Sequence, residues 1–312
     1  MPKHAAEIID DLVTMRDWLR YAVSRFNAAK LVYGHGTSTA LDEAAFILLS
    51  ALDLPIDQLE PWLDARLTHD ERHRLATLIE SRITTRKPAA YLIGKAYIKG
   101  FAFEIDERVI VPRSYIGELL VESPEALVAD MATVSRVLDL CTGSGCLAIL
   151  AALQFEHAVV DAVDISTDAL AVARRNVETY DLSSRVRLIE SNLFSGLDGH
   201  HYDLVVANPP YVAAAEVAAF APEYAAEPML AHQGGEDGLD LVRRIVAEAD
   251  KVLAPGGSLV VEIGTGRSIL EAEYPDLPFC WLDTEASEGE VFALTAEHLR
   301  QRSAPRTKKR RG

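Results

Sequence analysis

The 312-residue sequence has only three cysteines, Cys141, Cys146 and Cys280, and no pair at metal-ligand spacing. So odd and scattered a set gives neither a disulfide framework nor a zinc site, and reads as small apolar residues in a reducing compartment. Nine histidines are present, also without ligand spacing, so no metal is expected. No apolar stretch approaches the roughly 18–20 residues of a membrane span. The N-terminus lacks the apolar centre of a signal peptide. A cytoplasmic protein is expected. Positive charge is scarce too: 31 Lys and Arg face 47 Asp and Glu, for a net charge of −16. Residues 300–312 hold seven of those cations and no acid, so 24 basic against 47 acidic residues leave −23 on the remainder. Such a body repels bare nucleic acid and attracts a basic macromolecule; acidity for solubility is the competing reading. The tail reads as a solvated, disordered end, with contact to a ribonucleoprotein surface as its second reading.

What is present falls into two patterns. The length exceeds one comfortable core, so two domains are expected. Residues 1–95 read as a helical domain. Ile8, Leu12, Met15 and Leu19 keep helical spacing, as do Leu41, Ala45, Leu48 and Leu49, then Leu75, Leu78 and Ile79. Breaks fall at Gly34-His35-Gly36, Leu54-Pro55 and Lys87-Pro88. Residues 96–112, with Phe101, Phe103 and Ile105 alternating, read as a hairpin bridging the domains. Over 113–299, short apolar strands (137–140, 159–163, 186–189, 204–207, 258–263) alternate with helices (146–153, 168–179, 239–253). That rhythm predicts an α/β fold with a doubly wound, mostly parallel sheet, closed by a hairpin at 279–282 and 290–294.

The first strand of that sheet runs into Asp139-Leu140-Cys141-Thr142-Gly143-Ser144-Gly145. Glycines at a strand-to-helix turn permit positive φ and close approach of a ligand. Asp164 ends the second strand, nineteen residues past Gly145, where an acid can hold the two hydroxyls of a ribose. Gly143-x-Gly145-x-x-Ala148 plus Asp164 fits a dinucleotide fingerprint, and equally the D-x-(G/C)-x-G-x-G turn of S-adenosylmethionine-dependent methyltransferases. The loop alone does not choose.

Asn208-Pro209-Pro210-Tyr211 closes the apolar run 203–207. The prolines stop the strand and donate no N–H, so carbonyls are left pointing outward. Beside them stand an amide that accepts hydrogen bonds and an aromatic face. Such a corner can grip a planar –NH2 by both hydrogens; a turn-capping asparagine is the bland alternative. A nicotinamide oxidoreductase has no use for this corner. A non-catalytic assembly module remains a third class.

Together these residues resemble class I methyltransferases that modify amide or exocyclic amine nitrogens. Val111-Pro112-Arg113-Ser114 with Glu118, Glu223-Tyr224-x-x-Glu227-Pro228 and Gly234-Gly235-x-x-Gly238-Leu239-Asp240 resemble, more narrowly, the HemK-like protein-glutamine methyltransferases. Residues 16–20, 24–28, 34–36 and 138–146 are similar to the branch acting on large-subunit ribosomal protein L-three. The release-factor branch usually shows I-P-R-P-D-T-E where this chain has Val111-Pro112-Arg113-Ser114-Tyr115-Ile116-Gly117-Glu118. The likeness spans about residues 12–298 and leaves out the tail.

The resemblance implies a class I S-adenosylmethionine-dependent methyltransferase fold with a small N-terminal helical domain. The implied reaction is methylation of a glutamine side-chain amide in a basic ribosomal protein; a release factor or an adenine amine in nucleic acid is the alternative substrate. Asn208 Oδ1 and the Pro209 carbonyl would accept the two amide hydrogens, with Pro210 and Tyr211 completing the corner and excluding water. Asp139, Cys141, Thr142, Gly143, Ser144 and Gly145 would line the methionine end of S-adenosylmethionine, with Asn208 as a further cofactor-binding residue. Asp164 would hold its ribose, and Asn192 and Leu193 would lie near its adenine. Arg113, Ser114 and Glu118 would shape the substrate entrance, hinge residues between the domains being the alternative. Glu223 and Glu227 would meet the basic substrate from a loop, an exposed acidic loop being the alternative. No membrane and no specific nucleic acid is implied, beyond weak contact of the tail with ribosomal RNA. Cys141 replaces a common glycine, which puts no function in doubt provided that position 141 keeps negative φ. Asp203 reads as a turn residue rather than a general base.

Overall fold

The computed structural model describes residues 8–197 and 199–301. The chain divides into two units, Met1–Glu107 with Phe220–Glu227, and Arg108–Ala219 with Pro228–Gly312. Apart from Arg300 and Gln301, the basic tail lies outside the described residues.

In the first unit, helices Met15–Ala28, Ala40–Ala51 and His69–Thr85 start at Thr14, Thr39 and Thr68, whose hydroxyls each accept a first-turn N–H. Their apolar faces enclose Trp18, Phe26, Ile47, Leu48, Leu75 and Ile79. Burying one such side chain contributes about 1.5–3 kcal/mol. The second helix buries Leu48 and Leu49 as predicted, but Leu41 is exposed and Ala45 half-buried, and Ala44, Ile47 and Ala51 turn inward with Glu43. Glu43 is held there by a buried pair: it accepts from Arg82 Nε, and Arg82 also donates to the carbonyls of Val32 and Arg86. Periodicity of apolar residues gave no weight to that acid. Helix Ala89–Ile93 then leads into a hairpin of β1 (Lys95–Ile98) and β2 (Phe101–Glu104). The hairpin is shorter than the predicted bridge and counts with the first unit, whose boundary falls after Glu107.

The second unit is built on a seven-stranded sheet. Its strands are β3 (Arg136–Leu140), β4 (Val159–Asp164), β5 (Val186–Glu190), β6 (Tyr202–Ala207), β7 (Leu253–Glu262), β8 (Cys280–Leu282) and β9 (Val291–Thr295). The order is β5-β4-β3-β6-β7-β9-β8, with β3 to β7 parallel and β9 antiparallel to both neighbours. This is the α/β class expected, down to the closing hairpin. The inner strands are mostly apolar because helices such as Cys146–Gln154 and Thr167–Thr179 cover the sheet, and the acids they carry include the buried Asp139 and Asp161. The predicted helix 239–253 is shorter: it ends at Glu248, and a 3-10 turn, Ala249–Lys251, delivers the chain into β7. Asp203 is not a turn residue. It lies within β6, where its carboxylate accepts the N–H groups of Ser135 and Arg136 and the Ser135 hydroxyl. Pairing of Asp139 with Val206 and of Leu140 with Ala207 brings the chain just past β3 beside the chain just past β6. Ligands of doubly wound sheets bind beyond such carboxyl ends, where the order reverses.

Candidate active site

Asp139 is fully buried near the end of β3. Its Oδ2 accepts the Thr142 hydroxyl and the Ala148 N–H, and its Oδ1 has no hydrogen-bond partner. Burial pushes the carboxyl up to about 7, against the opposing effect of those two donors. The turn that follows is unusually rich in left-handed backbone, with φ of 59° at Cys141, 54° at Gly143 and 82° at Gly145. The proviso of negative φ at Cys141 is therefore not met. The reversal lets the Thr142 N–H reach the Val163 carbonyl on β4, which offsets the roughly 1–2 kcal/mol of Cβ crowding.

The two glycines differ in purpose. A Cβ on Gly145 would meet the Ala173 Cβ at 3.1 Å, so this glycine lets the turn press against helix Thr167–Thr179. A Cβ on Gly143 would meet nothing within 4 Å, so the space over that residue is open. Asn176 Nδ2 fixes the turn by donating to the Ser144 carbonyl at 2.8 Å. Asp164, ending β4, accepts the Gly143 and Ser166 N–H groups, each at 2.9 Å, while burial raises its carboxyl above the usual range. Beyond β5, Asn192 is exposed and accepts from Arg244, whereas Leu193 is buried at φ 52°.

Asn208, Pro209, Pro210 and Tyr211 leave β6 with Pro209 buried and the other three half-buried. The Tyr211 hydroxyl donates to Glu262 Oε1 at 3.0 Å. Glu262, the last residue of β7, is itself buried, and its Oε2 accepts the Ser114 hydroxyl at 2.8 Å and the Tyr115 N–H at 2.9 Å. Burial drives its carboxyl up to about 7, and the bonds from Ser114, Tyr211 and Tyr115 work the other way. Sequence reasoning missed this residue. Its signal was a lone acid in the run Leu259-Val260-Val261-Glu262-Ile263, where charge is costly without a task. Nearby, Asn208 Nδ2 points at the Arg113 carbonyl from 3.5 Å, the outer limit of a hydrogen bond. The backbone after the corner is clamped by Val212 N–H to the His232 carbonyl and Gly234 N–H to the Val212 carbonyl.

Arg113 and Ser114 are thus joined to the corner, and Glu118 stands half-buried one helical turn beyond Ser114. Glu223 and Glu227 are not exposed acids. Both are buried in the first unit, where Glu223 accepts the Val32 N–H and Arg86 Nε, and Glu227 lies 3.7 Å from His35 Nε2. The expected acidic loop facing a basic substrate is corrected: the Glu223 carboxylate is taken up by a backbone donor and a guanidinium inside the fold.

Asp139 and Glu262 take up protons more readily in the fold than in the unfolded chain. Their contribution to the stability of the free protein is therefore expected to fall as pH rises from the ordinary carboxyl range, 3.8 to 4.5, to about 7, and to level off above. Comparing urea midpoints of wild type and Asp139→Asn across that range checks it, since the substitution removes the Asp139 contribution to the slope.

The chain is similar to known proteins over nearly its whole length. The methyltransferase small domain family matches residues 119–224. The ribosomal protein uL3 glutamine methyltransferase of Bradyrhizobium diazoefficiens is 53% identical over 304 residues, covering 96% of this chain and 95% of its own. Proteins of the same name from Bordetella pertussis (53% identical, covering 93% of this chain and 97% of that one) and Burkholderia pseudomallei (50%, covering 92% and 95%) match as fully. With about half of all positions shared over nearly the whole of each protein, the chain belongs to the ribosomal protein uL3 glutamine methyltransferase family.

Proposed function

We propose that this enzyme transfers a methyl group from S-adenosylmethionine to the side-chain amide nitrogen of a glutamine in ribosomal protein uL3. The observation that carries the reading is the pairing of β3 with β6, which sets the Asp139–Gly145 turn beside the Asn208–Tyr211 corner in a chain half identical to such enzymes. The cofactor fits the turn on two counts. Asp139 offers a buried, unpartnered oxygen suited to a cationic ligand, and the space over Gly143 is open. In this reading Asp139, Cys141, Thr142, Gly143, Ser144 and Gly145 hold the methionine end, Asp164 the ribose, and Asn192 and Leu193 the adenine side. Bound S-adenosylmethionine supplies an electrophilic methyl on a sulfonium.

The remaining task is to make an amide nitrogen react although its lone pair is delocalised into the carbonyl. With Nδ2 turned to the Arg113 carbonyl, Asn208 presents Oδ1 as an acceptor for one N–H of the target amide. The Pro209 carbonyl accepts the other. Two fixed acceptors hold the –NH2 plane and stabilise positive charge developing on nitrogen, and Tyr211 closes the side and keeps water out. An adenine amine fits the same corner chemically, but a body of net charge −23 without residues 300–312 disfavours a polyanion and suits a basic ribosomal protein.

Purified enzyme given labelled S-adenosylmethionine and unmodified uL3 is expected to place a single methyl on one glutamine, found by mass spectrometry of the digested product. Label on a release factor or on nucleic acid in place of uL3 would overturn the substrate assignment.

A further inference from the structure

We propose that Glu262 is a positioning residue for methyl transfer, setting both walls of the amide-binding corner from a single buried carboxylate. One oxygen receives the Tyr211 hydroxyl, which fixes the aromatic wall. The other receives the Ser114 hydroxyl and the Tyr115 N–H, which fix the segment directly after Arg113. The Arg113 carbonyl is the group that Asn208 Nδ2 faces. Glu262 therefore acts on the corner twice, through the ring of Tyr211 and through the backbone that orients Asn208. It touches neither amide nor cofactor in doing so.

The choice of a carboxylate supports a positioning role. Its three donors are a phenol, a hydroxyl and a backbone N–H, all neutral, so burying the charge is costly. Glutamine would offer one accepting oxygen and an –NH2, and that –NH2 would confront at least one of these donors. Only an ionised carboxylate accepts from all three without donating to any. The ring it holds has little room to move: a Cβ on Gly264 would lie 2.9 Å from Tyr211 ring carbons, so glycine there lets ring and backbone touch. Charged and titratable groups facing the cluster are Arg113, Glu118 and Glu290, with the phenols of Tyr115 and Tyr211. Burial and the negative charge of Glu262 both raise the Tyr211 phenol, which keeps it a donor.

This inference rests on the reading of Asn208–Tyr211 as the amide site, and the test separates the two. Glu262→Gln, Tyr211→Phe, Ser114→Ala and the double variant Glu262→Gln/Tyr211→Phe are compared with wild type and Asn208→Ala. Measured are kcat and KM for uL3, calorimetric affinity for S-adenosylmethionine, and the melting temperature. Glu262→Gln is expected to lower kcat about 10–100-fold with cofactor affinity within about threefold, because a misplaced acceptor costs rate without altering the cofactor turn. On the Tyr211→Phe background the same substitution is expected to cost less than on wild type, since part of its action is already gone. At saturating cofactor, wild-type kcat is expected to rise with pH through about 7 as the carboxylate forms, and Glu262→Gln to flatten that limb. If Glu262→Gln does not fold, Ser114→Ala and Tyr211→Phe carry the test, each lowering kcat and combining less than additively. Unchanged kcat, fully additive losses or an unaltered pH profile would overturn the role of Glu262 while leaving Asn208 intact. Turnover by Asn208→Ala at the wild-type rate would instead sink the corner itself, and this inference with it.

Discussion

Asn208→Ala is expected to lower the rate of methyl transfer to uL3 by about 10²–10³-fold, the usual effect of removing one oriented polar group that stabilises developing charge. Affinity for S-adenosylmethionine should stay within about threefold. The separation follows from placement. Asn208 follows β6 and its amide faces the Arg113 carbonyl, whereas the turn holding the buried Asp139 belongs to β3 and is braced by Thr142, Ala148 and Asp164. Removing the amide leaves the Pro209 carbonyl in place, so the target –NH2 keeps one acceptor and gains freedom to rotate. Rotation moves the nitrogen out of line with the methyl group, which is why the loss should fall on kcat. Single-turnover rates with calorimetric binding check it; a parallel collapse of cofactor affinity would mean that Asn208 serves the cofactor and not the amide.

Gly238→Ala is expected to destabilise the methyltransferase unit by about 3 kcal/mol, combining left-handed strain with overpacking. Two observations require it. Gly238 has a φ of +85°, and a Cβ there would lie 2.3 Å from the Tyr211 carbonyl oxygen and 3.1 Å from the carbon bearing it. Both obstacles are backbone, so no side chain can swing away. The strand-like strip over Val212 and Gly234 fixes the same backbone from the other side. Relief must come from displacement of Tyr211, so activity should fall in whatever fraction stays folded. The melting temperature is expected to drop by about 10 °C for a unit of this size. Gly143→Ala makes a useful contrast: it shares the positive φ, but its Cβ would meet nothing within 4 Å, so it should cost less stability.

The Gly234-Gly235-x-x-Gly238 motif also shows how far the sequence could be read. Its spacing was recognisable, but its purpose was not, because the reason for each glycine is the neighbour its Cβ would strike. For Gly235 that neighbour is the Asp240 carboxylate, and for Gly238 it is the Tyr211 carbonyl. Glu262 makes the same point from the other direction. Its isolation in an apolar strand was visible, yet its three donors come from residues 114, 115 and 211, far away along the chain. Glu223 went further astray. An acid in a long insertion reads as exposed, and only the fold supplies the Val32 N–H and the Arg86 guanidinium that draw it inside.

What the sequence determined by itself was whatever local chemistry dictates. Alternation of apolar strands and helices specified the doubly wound sheet, glycines marked the turn after β3, and two prolines marked where β6 stops. These signals survive without coordinates because backbone sterics and side-chain period act within a few residues. The tertiary structure decided that Glu43 is buried with the apolar face of Ala40–Ala51, that Cys141 adopts positive φ, where the first unit ends, and which carboxylates are occupied. Those outcomes depend on partners remote in sequence. A buried charge is placed by the donors that reach it, and no window along the chain contains them.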